Sequence, residues 1–306
     1  MPESEIPSSK ASFYRSPVHC VKHSNYFAIY DDLLTKYVNT SFTFVEVGVL
    51  DGGSLFMWRD FFGSRARIIG IDLNPEAKKW EKDGFEIFIG SQTDPEFWDD
   101  FFQKVGNVDV LLDDGGHMND QQTTTVLSCL PHINDGGLLI VEDTCTSYTK
   151  FENFSRFSFI NFMKKEVDSL QSRFPGLESL RGRLSPYVYS ITFYESVCAM
   201  SVDRSKCTMN AREVNNGARQ NAQDYRYIDG KSFLALLRKI YSGISIDYLS
   251  AESANRHPRV ASLLQKRQIR ILVRVIVVPI RAIVYFLIKL ENALSYRKIL
   301  RPSRKS

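Results

Sequence analysis

Between residues 42 and 141, five short apolar runs alternate with four stretches of helical periodicity, and this alternation limits the fold more than any other feature. The runs are Phe42 to Val49, Ala66 to Ile71, Phe85 to Ile89, Val108 to Leu112 and Leu138 to Val141. Between them lie Ser54 to Phe62, Glu76 to Lys82, Pro95 to Val105 and Asn119 to Leu130, with apolar residues three and four apart. A helix between successive strands forces crossover connections, so the strands run parallel and helices cover both faces of an open sheet. Upstream, Tyr26 to Val38 repeats apolar residues at helical spacing. Downstream, Phe151 to Phe174 is expected to cover the sheet's carboxyl edge, and Tyr187 to Val202 alternates with a break at Glu195, as a closing antiparallel strand would. Ser232 to Tyr241 reads as a helix. The expected organisation is a loose arm over 1–18, the α/β domain over 19–202, a polar loop and helical extension over 203–260, and a basic apolar tail over 261–306.

Charge separates the tail from the body. Residues 256–306 hold 13 Lys or Arg against one acid, Glu291, whereas the first 255 residues hold 26 bases and 34 acids. The five cysteines are widely spaced and form no C-x-x-C pair, which excludes a disulfide framework or a zinc site and fits reduced thiols. The first twenty residues lack an apolar core, so no secretory signal is read and a cytoplasmic location is expected. An acidic body without an aromatic-studded basic patch argues against a nucleic-acid substrate.

In an open parallel sheet, ligands bind beyond the carboxyl ends of the strands. The first run ends Glu46-Val47-Gly48-Val49-Leu50-Asp51-Gly52-Gly53-Ser54. Its glycines let a ligand approach the backbone, while Glu46 and Asp51 offer acceptors that would repel a pyrophosphate. A zwitterionic nucleoside suits this turn better than a dinucleotide. Asp72 closes the second run and is placed to accept both hydroxyls of a ribose. The third run ends at Ser91-Gln92, where an adenine edge could be read. The fourth ends Asp113-Asp114-Gly115-Gly116-His117 and the fifth Glu142-Asp143-Thr144. Adjacent carboxylates cost several kcal/mol to bury unless cations or donors neutralise them. Asp114 and Asp143 on neighbouring strands would make an oxygen-rich site for a hard divalent ion such as Mg²⁺.

These residues closely resemble class I S-adenosylmethionine-dependent methyltransferases, in particular the metal-dependent sugar O-methyltransferases of the macrolide, mycinamicin type. Four segments carry the resemblance: Phe44–Trp58, Gly70–Pro75, Asp113–His117 and Glu142–Thr144, with His23-Ser24-Asn25-Tyr26-Phe27 upstream. The resemblance implies a Rossmann-like, mainly parallel seven-stranded sheet and a cofactor site for S-adenosylmethionine. It assigns Glu46, Gly48, Gly52 and Ser54 to the methionine part and Asp72 to the ribose; Ser91, Gln92 and Asp113 complete the expected cofactor side. It further implies Mg²⁺ on Asp114 and Asp143, 29 residues apart, with Glu142 as a helper, and His117 as the catalytic base. The substrate it implies is a sugar or polyol hydroxyl. Ser91 stands where many relatives carry Asp, which leaves the adenine contacts open. An NAD-dependent oxidoreductase or epimerase is the alternative on the same architecture. A non-catalytic scaffold would have lost the acid pairs or His117, and neither is lost.

The tail contains Ile271 to Ile288, 18 residues of which 15 are apolar. Arg274 and Arg281 interrupt this stretch, and each would cost roughly 2.5–3.5 kcal/mol at a bilayer centre, which disfavours a membrane span. A basic amphipathic helix remains. It would either dock on the protein or a sister subunit in a homo-oligomer, or lie in the plane of an anionic membrane through 269–305. The second choice would suit a lipid-linked acceptor at the inner face of the cytoplasmic membrane.

Overall fold

A computed structural model describes residues 8–149, 157–218, 279–280, 282–290 and 293. The chain divides into two units, Met1–Val214 and Asn215–Ser306. In the first, the elements in chain order are α1 (Ser9–Arg15), α2 (Tyr26–Leu34), β1 (Thr43–Val47), α3 (Gly53–Phe62), β2 (Arg67–Asp72), β3 (Glu86–Ile89), α4 (Pro95–Val105), β4 (Val108–Asp113), α5 (Asn119–Cys129), β5 (Ile133–Val141), α6 (Phe159–Ser169), β6 (Val188–Tyr194), β7 (Val197–Val202) and α7 (Arg204–Thr208). The strands form one sheet in the order β3-β2-β1-β4-β5-β7-β6. Pairs from β3 through β5 are parallel, and β7 runs antiparallel to both β5 and β6. Strand order therefore reverses between β1 and β4, where the crossovers leave a crevice.

Strand alternation distributes the core over the two faces. Phe44, Val110, Leu112 and Ile140 face α2 and α3, where they pack with Tyr30, Trp58 and Phe62. Val45, Val47, Leu111, Leu139 and Val141 face the opposite layer, with Trp98, Phe101, Val126 and Met163. Local signals fix the covering helices. Asp94 accepts the Glu96 amide at 3.0 Å and Pro95 opens α4, a fitted N-terminus. Ser158 accepts the Asn161 amide in the same way at the start of α6.

Two expectations change. Ser9–Arg15, expected within the loose arm, is a helix, because Ser9 and Ser12 bury against the fold and Arg15 donates to Asp60 at 2.6 Å. Tyr187 to Val202 closes the sheet antiparallel as expected, and its break at Glu195 is the turn of a two-stranded hairpin. The Phe-rich stretch does not cover the carboxyl edge over its described residues; α6 packs on α5 and on the 3₁₀ turn Thr144–Tyr148. Residues 150–156 and the helix read at 232–241 lie outside the described residues, as does most of 203–260. In the second unit, 279–280, 282–290 and 293 are helical, with Val284 buried and Ile283, Phe286 and Leu290 exposed. The remainder of the expected tail helix lies outside the described residues. Among the described residues, no helix is long and apolar enough to cross a membrane.

Gly48 joins the first strand end to the fourth. Its φ is +93°, and a Cβ there would stand 2.1 Å from the Asp114 carbonyl oxygen. The left-handed conformation alone costs a non-glycine residue about 1–3 kcal/mol, and the collision adds to it. Gly48→Ala is expected to lower unfolding free energy by at least about 2 kcal/mol, read as a drop in the denaturation midpoint.

Candidate active site

The carboxyl ends of β1, β2, β4 and β5 open on a cavity of about 640 Å³ at the point where strand order reverses. A second wall comes from residues 19–23, the segment leading into α2. Ser16 ties this segment down by donating its hydroxyl to the Gly53 carbonyl at 2.8 Å. The contact is close enough that a Cβ on Gly53 would meet the His19 carbonyl oxygen at 2.3 Å.

Residue parity sorts the acids. Glu46 pairs with Leu112, and Leu112 with Ile140, so Glu46, Asp114 and Glu142 share the sheet face that carries α2 and α3. There they surround the ammonium of Lys22, whose side chain is 2% exposed. Lys22 Nζ lies 2.5 Å from Asp114 Oδ2, 3.0 Å from Glu142 Oε2 and 3.9 Å from Glu46 Oε1. Glu142 also accepts the Tyr30 hydroxyl at 2.5 Å through Oε1, and Glu46 accepts Ser54 at 2.7 Å and Trp58 at 2.9 Å. Burial opposes charge on Lys22, but the fields of Glu142, Tyr30, Asp114 and Glu46 outweigh it and hold the ammonium well above the usual lysine range. One cation among three acids leaves negative charge in excess. Burial accordingly pushes the Glu46 carboxyl up to about 7, against the pull of Lys22, and raises that of Glu142.

Asp113 has the opposite parity and turns away from the cavity. Gln92 donates to its two oxygens at 3.0 and 3.1 Å, and the Gly115 amide donates at 3.2 Å. Burial still raises its pKa. Asp143 turns towards the cavity and meets three side chains. Tyr26 donates its hydroxyl to Oδ1 at 2.6 Å, His23 Nε2 stands 3.5 Å from the same oxygen, and His117 Nε2 lies 3.4 Å from Oδ2. Asp114, His117 and Asp143 each place a ligand atom within 4.8 Å of the others. His117 and Asp143 both sit at positive φ, +61° and +53°, a strained conformation for such residues that clusters at functional sites.

Of the residues singled out in the sequence, Gly48, Ser54, Asp72, Gln92, Asp114, His117, Glu142 and Asp143 line the cavity. Glu46, Gly52, Ser91 and Asp113 do not. Glu46 lies beneath Ser54 and braces it; Gly52 backs onto the Trp80 indole, 2.3 Å from where its Cβ would stand; Ser91 pairs with the Thr93 hydroxyl at 2.8 Å. Asp72 accepts the Val49, Leu50 and Asn74 amides at 2.8, 3.0 and 2.8 Å. These bonds use three of about four acceptor positions on a carboxylate, leaving room for one hydroxyl rather than two. Glu142, expected beside the metal, has both oxygens engaged by Lys22 and Tyr30. Lys22 and Tyr30 have no counterpart in the site expected from sequence, and Tyr26 stands in the upstream segment of the resemblance without a role assigned to it.

This sheet order, with its crevice and acid-bearing strand ends, is the Rossmann-like fold of class I methyltransferases. Residues 45–144 match a family model described as a methyltransferase domain. Among curated proteins, the chain is 31% identical over 157 residues to 8-demethyl-8-alpha-L-rhamnosyl tetracenomycin-C 2'-O-methyltransferase of Streptomyces olivaceus, covering 47% of this chain and 41% of the relative. It is 34% identical over 126 residues to mycinamicin VI 2''-O-methyltransferase of Micromonospora griseorubida, covering 39% and 31%. A methyltransferase from the mycinamycin biosynthetic pathway, solved in complex with Mg and SAH, superposes with a TM-score of 0.59 at 25% identity, over 68% of this chain and 57% of that one. The chain thus spans less than half the length of these two curated relatives.

Cys20 lines the cavity, and burial pushes its thiol up to about 11. Cys145 is exposed. Because the thiolate is the reactive form, iodoacetamide at neutral pH is expected to alkylate Cys145 well before Cys20, by peptide mass spectrometry.

Proposed function

We propose that the chain is an S-adenosylmethionine-dependent O-methyltransferase that uses Mg²⁺ and acts on a hydroxyl of a sugar or another polyol. The observation that carries this reading is the convergence of Asp114, His117 and Asp143 on the floor of the cavity at the reversal of strand order. The chemistry of the donors fits a hard divalent ion: the two carboxylates of Asp114 and Asp143, with the His117 imidazole beside them to take a proton, next to acids that Lys22 alone does not neutralise. The relatives named above support the sugar acceptor, since one is an O-methyltransferase of a rhamnosyl tetracenomycin-C and another of mycinamicin VI.

Asp114 and Asp143 would hold the ion, and Glu142 stays with Lys22 and Tyr30. When bound, Mg²⁺ supplies Lewis acidity that lowers the pKa of an acceptor hydroxyl. Gly48 and Ser54 would flank the methionine part of the cofactor, with Glu46 acting from below through Ser54, while Asp72 takes a ribose hydroxyl. When bound, S-adenosylmethionine would supply an electrophilic methyl on its sulfonium, which an in-line acceptor oxygen would take as the S–CH₃ electron pair returns to sulfur. His117 would accept the hydroxyl proton, and Asp143 Oδ2, 3.4 Å from Nε2, would stabilise the imidazolium that forms.

Titration of the full chain with S-adenosylhomocysteine and with NAD⁺ separates this reading from the oxidoreductase alternative. Heat with the first and none with the second is expected; the reverse contradicts the reading. EDTA is expected to abolish turnover, and His117→Ala to lower kcat by about 10²–10⁴-fold with KM little changed.

The finer placement concerns the second unit. We infer that its helix lies on an anionic membrane at the inner face of the cytoplasmic membrane, where a lipid-linked acceptor would be found. Exposed Ile283, Phe286 and Leu290, together with the 13 bases of 256–306, support this. The full chain is expected to float with anionic liposomes and the Ile283→Asp/Phe286→Asp variant to stay in the soluble fraction. Equal recovery of both contradicts it.

A further inference from the structure

The segment 16–23 precedes the matched domain, yet it forms one wall of the cavity and delivers Lys22 to the acid cluster. The geometry points to Lys22 as a positioning residue that orients the metal ligand Asp114 and at the same time latches segment 16–23 over the cofactor cavity. This inference rests on the function proposed above and adds a coupling between the two ligands.

Asp114 stands at the cavity with its carboxylate beside Lys22. Lys22 takes Oδ2 of that carboxylate, which fixes its rotation and leaves the other oxygen to a ligand. The backbone of Asp114 is already fixed, because its amide donates to the Val47 carbonyl at 2.9 Å and Gly48 packs against its carbonyl. The side chain is the remaining freedom, and Lys22 removes it. The same ammonium claims Glu142 Oε2 while Tyr30 claims Oε1, which keeps Glu142 out of the ligand set and leaves Asp143 as the fifth strand's contribution.

The latch follows from the other end of the lysine. Segment 16–23 is pinned at its start by Ser16 on the Gly53 carbonyl and near its end by Lys22 on Asp114 and Glu142, with the exposed His19 and His23 rings 3.5 Å from Asp51 and Asp143; His19, Cys20 and Val21 bridge the cavity between the two ends. The first pin is a single hydroxyl bond at the partly buried rim. The second is a buried, charge-assisted contact and is the stronger of the two. Retention of a ligand beneath the segment therefore depends on the lysine that orients Asp114.

A buried lysine could also serve only to neutralise acids so that the chain folds. Lys22→Met/Glu142→Gln separates the roles, since it removes the ammonium together with one of the buried carboxyls that it meets. Mn²⁺ affinity by electron paramagnetic resonance, S-adenosylhomocysteine dissociation by stopped flow and the melting temperature are measured on the full chain. The double variant is expected to melt near the wild type, to bind Mn²⁺ about 10- to 100-fold more weakly, as loss of groups that orient metal ligands commonly does, and to release S-adenosylhomocysteine faster. Wild-type affinity and release in the double variant overturn the inference while the proposed function stands. A wild-type chain that binds neither Mn²⁺ nor S-adenosylhomocysteine overturns both. If the double variant does not fold, Lys22→Gln, which keeps a donor without the charge, is read by the same measurements with the same expected losses.

Discussion

One buried ammonium holds the functional end of this fold together. The sheet brings the ends of β1, β4 and β5 side by side, and strand parity sends Glu46, Asp114 and Glu142 to the same face. Three carboxylates in an apolar layer would repel one another and lose their hydration. Lys22 meets all three within 3.9 Å, and Tyr30, Ser54 and Trp58 occupy the remaining acceptors. With this contact in place, the loop after β1 can lie against Asp114, and Asp114 can face the cavity. The excess acid that Lys22 leaves uncompensated makes the neighbouring site attractive to a divalent cation.

The fold was legible because its signal is local and repeated. Apolar runs with helical stretches between them define parallel crossovers whatever the loops do, and the caps at Asp94 and Ser158 stand beside the helices they start. The chemistry of the strand ends was legible for the same reason, since Asp113-Asp114 and Glu142-Asp143 stand where the sheet stops. Alternation separates Asp114, which follows Leu112 on one face, from Asp113, which follows Leu111 on the other. It does not select Asp143 over Glu142: Glu142, a helper to the metal by resemblance, shares the face of Asp114 and meets Lys22 and Tyr30, while Asp143 reaches the cavity from a left-handed backbone beyond the strand. Lys22 itself carries no such signal. It lies about ninety residues before Asp114 in an irregular segment, and only the folded chain brings the two together.

Strain and burial converge on the same few residues. His117 and Asp143 adopt left-handed backbones although neither is glycine, and they face each other across 3.4 Å. Asp143 is held there by the Tyr26 hydroxyl, which donates to its carboxylate and accepts its amide at 3.2 Å. The α2 helix thus contributes twice, through Tyr26 to the cavity side and through Tyr30 to the buried side. Residues ahead of the first strand complete a site whose chemistry is carried by the strand ends.

The central claim is that Asp114 and Asp143 form one cation site beside His117 while Glu142 remains with Lys22. A crystal of the full chain soaked in Mn²⁺ and S-adenosylhomocysteine, with data collected for the anomalous signal of manganese, tests it most directly. The account predicts one peak within coordination distance of Asp114 and Asp143 on the cavity floor, with the nucleoside against Gly48 and Asp72. A peak bound by Glu142 with Lys22 displaced, or no peak at the strand ends, would contradict it.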